Sequence, residues 1–166
     1  MGTMKTLKVA PLIFLLIWTV TSITRWPSHT ICKTDNLEVK YRSCDRRQDF
    51  AFSFDGCSNV LPQTANIRIG TILRHPIREL TVDVSLAING KKVPVYSKKI
   101  CERDHPQFSF CGKKKGEYVY YEAPIDLGVH EIPQGDFNVT VEMFNEDHQT
   151  IICADFTVRN LEERLS

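Results

Sequence analysis

From Cys32 onward, apolar and polar residues alternate with a period of two. Leu80, Val82, Val84, Leu86 and Ile88 are interleaved with Thr81, Asp83, Ser85 and Ala87. Successive side chains of a strand point to opposite faces, so this run predicts a strand with one buried and one wet face. Phe50, Phe52 and Phe54 alternate with Ala51, Ser53 and Asp55, and Ile67 and Ile69 flank Arg68. Phe137, Val139, Val141 and Met143 alternate with Asn138, Thr140 and Glu142, and Ile152, Ala154, Phe156 and Val158 with Cys153, Asp155 and Thr157. Val119 and Tyr121 continue the theme. Turn signals separate the runs: Asp55-Gly56, Asn89-Gly90, Lys115-Gly116 and Gln134-Gly135-Asp136. Asn89-Gly90 carries the strongest two-residue hairpin signal. Helical spacing is confined to Leu161-Glu162-Glu163-Arg164-Leu165, a short tail. The pattern predicts a single all-β domain, an antiparallel two-sheet sandwich. An antibody-type domain is not expected, because Trp26 precedes Cys32 and does not lie between paired cysteines.

The start of the chain follows another rule. Lys5 and Lys8 precede an uncharged stretch whose apolar heart runs from Leu12 to Trp18. That heart is short for a bilayer crossing, and small residues follow it, so residues 1–24 read as a secretory signal. The sandwich would then occupy 25–160, with 161–166 as a polar tail. No later stretch is apolar enough to span a membrane. Without Lys5 and Lys8 the formal charge moves from +1 to −1.

Export changes the meaning of the six cysteines, Cys32, Cys44, Cys57, Cys101, Cys111 and Cys153. In an oxidising compartment they are expected as disulfides, and spacing alone leaves fifteen pairings open. Asn138-Val139-Thr140 is a glycosylation sequon. If Phe137 and Val139 face inward, Asn138 faces outward, where a glycan fits.

Catalytic and metal motifs are not found. There is no G-x-S-x-G elbow, no H-E-x-x-H, no phosphate loop and no C-x-x-C pair. Gly112-Lys113-Lys114-Lys115-Gly116 lacks the G-K-[ST] ending and reads as a basic turn. The five histidines are scattered through polar stretches. A near-neutral chain of 166 residues with 25% charged residues also lacks the basic field of a nucleic-acid binder. These readings predict a binding protein, with no catalytic residues, no resident metal and no cofactor.

Certain residues carry a family resemblance: Trp26-Pro27, Cys32, Cys44-Asp45, Phe50 and Cys57; Ile100-Cys101, Phe108-Ser109-Phe110-Cys111 and Lys115-Gly116-Glu117; Ile132-Pro133-Gln134-Gly135 and Ile152-Cys153-Ala154. From about Trp26 to Val158 this set resembles the MD-2-related lipid-recognition family, the ML domain. The resemblance implies an immunoglobulin-like β-sandwich with a hydrophobic lipid cavity between splayed sheets. It also implies the disulfides Cys32–Cys57, Cys44–Cys153 and Cys101–Cys111, each stabilising by about 2–4 kcal/mol. The implied partners are a phospholipid-like lipid and a leucine-rich-repeat, Toll-like receptor homologue of B cells, the radioprotective receptor. Action as a stand-alone extracellular lipid or sterol carrier is the alternative.

The inward set is Phe50, Phe52, Phe54, Ile67, Ile69, Leu80, Val82, Val84, Leu86, Ile88, Phe110, Val119, Ile125, Leu127, Ile132, Phe137, Val139, Val141, Ile152, Phe156 and Val158. Periodicity by itself favours a dense core here, because natural interiors are close-packed. The resemblance favours a cavity walled by the same residues. By similarity the stretch from Ile125 to Ile132 borders its mouth. The family's Toll-like receptor 4 co-receptor has a lysine-rich rim there, whereas this chain has Asp126, Glu131 and Asp136, with His130 as the cation. An acidic rim is expected to repel phosphates and to favour a zwitterionic headgroup.

Overall fold

A computed structural model describes residues 25–58, 64–88, 90–126 and 131–161. The expected signal, Leu127, His130, Asn89 and residues 162–166 lie outside the described residues, as do the side chains of Ile88 and Asp126.

The described residues form nine strands: β1 (His29–Lys33), β2 (Leu37–Ser43), β3 (Ala51–Phe54), β4 (Thr64–Ile72), β5 (Leu80–Ile88), β6 (Lys91–Cys101), β7 (Tyr118–Asp126), β8 (Gly135–Asn145) and β9 (Thr150–Asn160). They build two antiparallel sheets, one in the order β1-β2-β9-β8-β5-β6 and the other β3-β4-β7. The fold class is therefore the all-β sandwich that the alternation predicts. Gly90, at φ +75°, supplies the left-handed turn residue between β5 and β6.

Register assembles the inner faces. Across the large sheet, Val82 pairs with Met143 and Met143 with Ile152; Val84 pairs with Val141 and Val141 with Ala154; Leu86 pairs with Val139 and Val139 with Phe156. Across the small sheet, Phe52 pairs with Ile69 and Ile69 with Tyr121. Each row is apolar because a period-two pattern places every second residue on one face. The opposite face of the small sheet is wet. There Arg68 bridges Asp55 and Glu122, and its guanidinium hydrogen bonds hold the Asp55 carboxyl below the usual range. The Tyr120 hydroxyl and then Arg68 do the same for Glu122.

The strands of the two sheets come closest along one side. Among the described residues, β1 and β3 are the only strands from opposite sheets whose Cα atoms come within 8 Å. Tyr41 of β2 is the centre of this junction. Its ring lies 5.3 Å from Phe50, 5.6 Å from Phe52 and 6.1 Å from Phe156. Its hydroxyl donates to the Phe50 carbonyl and accepts from the Phe52 amide, both at 3.1 Å. Burial pushes the phenol pKa up, so the hydroxyl keeps its proton for that donation. Tyr41→Phe removes only the oxygen and strands a buried carbonyl and a partly buried amide. We expect a loss of about 2 kcal/mol, read from denaturant midpoints, with little change in the m-value.

Three disulfides complete the frame: Cys32–Cys57, Cys44–Cys153 and Cys101–Cys111. Cys32–Cys57 reinforces the side where β1 meets β3. Cys44–Cys153 fastens the end of β2 to β9 beside the hydrogen bond from the Cys44 amide to the Cys153 carbonyl, 3.0 Å. Cys101–Cys111 closes the segment between β6 and β7.

Candidate functional site

Away from the junction the sheets part around a cavity of about 440 Å³. An ordinary interior has few voids larger than a water molecule, about 30 Å³, so this space is not a packing defect. It falls within the range of about 300–1,000 Å³ typical of small-molecule sites.

The wall comes from both sheets and from two connecting segments. The small sheet contributes Ile67, Ile69 and Thr71 of β4 and Val119, Tyr121, Pro124 and Ile125 of β7. The large sheet contributes Leu80, Lys98, Ile100, Met143, Ile151 and Ile152. Leu73 and Ile77 enter from the segment after β4, and Phe108 and Phe110 from the segment closed by Cys101–Cys111. The Phe108 and Phe110 rings stack at 5.2 Å, and both meet Tyr121 edge-on.

The wall has little polar chemistry. Thr71 accepts a hydrogen bond from the Gln48 amide at 2.5 Å, so its oxygen is already engaged. Among the described residues, Lys98 is the one charged side chain in the wall, and it has no ion-pair partner. No group of His, Cys, Asp or Glu among the described residues could hold a metal ion. Such a wall can solvate hydrocarbon, but it lacks the convergent polar groups that would recognise a sugar or activate a bond.

The residues expected to point inward divide into several sets. Ile67, Ile69, Leu80, Phe110, Val119, Ile125 and Ile152 are in the cavity wall. Phe50, Phe52 and Phe156 pack around Tyr41 in the core instead. Ile132, Phe137 and Val158 form a second small core with Cys32 and Leu37. Packing neighbours occupy the space around these six residues, and none of them borders the 440 Å³ cavity. Phe54, Val82, Val84, Leu86, Val139 and Val141 occupy inner-face positions outside the 440 Å³ cavity yet stay half-exposed. The Ile88 side chain and Leu127 fall outside the described residues.

The wall also has members outside the expected inward set. Leu73 and Ile77 lie in an irregular segment with no period to read. Phe108 belongs to the Phe108-Ser109-Phe110 motif and Met143 to the β8 alternation, so both carried a usable signal. Ile151 and Ile152 both contribute because a register shift between Met143 and Phe144 disturbs the β8–β9 ladder.

Of the expected acidic rim, the Asp126 side chain and residues 127–130 lie outside the described residues. Asp136 is paired with Arg159 at 3.5 Å. Glu131 is exposed, and Lys98 brings a cation into the wall that the sequence reading did not include. Asn138 is exposed, in the row Ala87–Asn138–Thr157 on the wet face of the large sheet.

The chain matches the ML domain over residues 27–160. It is 52% identical to lymphocyte antigen 86 of Gallus gallus over 157 residues, which is 95% of this chain and 98% of the relative. It is 43% identical to lymphocyte antigen 86 of Mus musculus, covering 87% and 94%. Lymphocyte antigen 96 of Homo sapiens is more distant, at 20% identity over 77% of this chain and 81% of the relative. Among solved structures, chicken MD-1 complexed with lipid IVa superposes with a TM-score of 0.74 at 54% identity, covering 81% of this chain and 98% of that one. A Niemann-Pick type C2 protein from Japanese carpenter ant shares the fold, with a TM-score of 0.50 at 17% identity, covering 84% and 98%. Nearly the whole described sandwich falls inside these matches, and the chain belongs to the ML domain family.

Proposed function

We propose that this protein is an exported, non-enzymatic lipid carrier that holds acyl chains between its sheets and acts as the accessory subunit of a leucine-rich-repeat, Toll-like receptor. The observation that carries the reading is the apolar cavity of about 440 Å³ between two sheets whose strands approach each other only at β1 and β3 among the described residues. Three disulfides with no free cysteine among the described residues suit an oxidising extracellular compartment. No helix among the described residues is long and apolar enough to cross a membrane. The relative complexed with lipid IVa, at 54% identity, supports lipid as the guest and agrees with Lys98 standing in the wall. The ligand is phospholipid-like or a bacterial lipid, and no cofactor is needed. Residues 1–24 serve as the export signal, and Asn138 bears a glycan on the face turned away from the cavity.

The receptor partnership rests on the likeness to lymphocyte antigen 86. The receptor meant is the radioprotective receptor of B cells, which would hold the carrier at the cell surface and set its role in innate responses.

Native mass spectrometry of protein secreted from animal cells tests the lipid reading. We expect a mass excess over the glycosylated chain that organic extraction releases as acyl lipid. A spectrum matching the glycosylated chain alone would refute it. Co-purification with the receptor ectodomain tests the partnership separately, and a carrier that never associates would act alone.

A further inference from the structure

The edge strand β6 is unlike the rest of the sandwich. Lys91–Lys99 are exposed on both faces for nine consecutive residues, although the strand is laddered to β5 along its length. Three of those residues are apolar and open to solvent: Val93 at 40%, Val95 at 52% and Tyr96 at 51% exposure. A register shift between Val84 and Ser85 leaves Val95 without a ladder partner. Around them stand Lys91, Lys92, Lys98 and Lys99. Only Lys99 has an acidic partner among the described residues, Glu79 at 2.7 Å near the base of the strand. Asp83, the acid facing β6 from β5, accepts a hydrogen bond from Ser97 at 2.6 Å. The end of β6 near the hairpin is therefore basic and apolar together.

Lysines and bulges on an edge strand commonly keep it from pairing with another chain. That role is served by charge alone, and exposed Val93, Val95 and Tyr96 work against it. Aliphatic and tyrosine side chains beside unpaired lysines match the boundary between headgroups and acyl chains. There the ammonium groups meet anionic headgroups while the apolar atoms leave water. The same strand also continues into the cavity, because Lys98 and Ile100 are part of its wall.

We propose that β6 is an adsorption edge for anionic lipid bilayers, which brings the gap between the sheets to the membrane surface where lipid is taken up or released. The proposal rests on the lipid-carrying reading. Adsorption places Lys98 among the headgroups, so an acyl chain passes from bilayer to cavity with little exposure to water.

The test uses the full secreted protein and sedimentation with vesicles. One set is phosphatidylcholine alone, and the other contains about a third phosphatidylglycerol. We expect binding to the anionic vesicles that weakens as salt is raised. Lys91→Glu with Lys92→Glu should reduce it at least about tenfold, and Val95→Ser should reduce it a few-fold. Unchanged melting temperatures would show that the variants fold. Equal binding to both vesicle types, or binding indifferent to these substitutions, overturns the proposal. Dimers formed without vesicles and broken by Val95→Ser also overturn it, by assigning the edge to a second copy. Protein that carries no lipid in native mass spectra refutes the carrier reading, whereas lipid-loaded protein that ignores vesicles refutes the adsorption edge alone.

Discussion

Stripped of its lipid under native conditions, the protein should melt about 10 °C lower than the loaded form, and adding lipid back should restore the difference. The cause is the cavity wall. Ile67, Ile69, Val119 and Ile152 face the gap from both sheets. A wall with nothing opposite it forfeits dispersion contacts, and the empty volume cannot collapse while the strands on either side keep their ladders. A guest restores those contacts, and each buried methylene gains about 0.8 kcal/mol relative to water. Only a fraction of that gross gain appears as stability, because the guest must be ordered and is itself partly shielded in micelles. A ligand present at 100–1,000 times its dissociation constant stabilises by about 3–4 kcal/mol, which sets the size of the expected shift. Scanning calorimetry on matched loaded and delipidated samples is the measurement. Coincident melting curves would mean that the walls do not need a guest, and the cavity would lose its functional meaning.

The second large effect concerns the bridge between Cys44 and Cys153. Replacing both residues by serine should cost about 4 kcal/mol, more than the equivalent change at Cys32–Cys57 or Cys101–Cys111. The sequence separations are 109, 25 and 10 residues. Opening the longest loop releases the most chain entropy in the unfolded state. That loop contains β3 to β8 entire, so the bridge restrains most of the sandwich at once. Denaturant melts of the three double-serine variants give the ranking. A Cys44–Cys153 variant as stable as the other two would show that strain or residual structure in the unfolded chain outweighs loop length. The Cys101–Cys111 variant should show a different defect, because its loop carries Phe108 and Phe110 into the wall.

Much of the sandwich was legible because half-buried strands leave a period-two trace. The runs in β5, β8 and β9 mark the central strands of the large sheet, and their parity puts Leu80, Met143 and Ile152 on the face that borders the cavity. β6 left no such trace. With Lys91 to Lys99 exposed on both sides, nothing distinguishes one face from the other, and Pro94 interrupts it further. β2 did alternate, through Leu37, Val39 and Tyr41, and that signal could have been used. What periodicity could not give was the difference between core and wall. Phe52 and Ile69 are register partners on one inner face, yet Phe52 packs against Tyr41 while Ile69 looks into the cavity. Burial pattern is a property of a strand, whereas the separation of two sheets is a property of the whole chain. The cavity expectation therefore came from the family resemblance and not from spacing, and so did the disulfide pairing. Leu73 and Ile77 escaped for a simpler reason, since irregular backbone imposes no period on its side chains.

The junction around Tyr41 and Cys32–Cys57 has a mechanical consequence. Because, among the described residues, the strands of the two sheets approach each other only at β1 and β3, the opposite edges, β6 and β7, are where we expect the gap to adjust to guests of different girth. Hydrogen exchange compared between one-tailed and multi-tailed lipid guests should then change at β6 and β7 and stay constant around Tyr41.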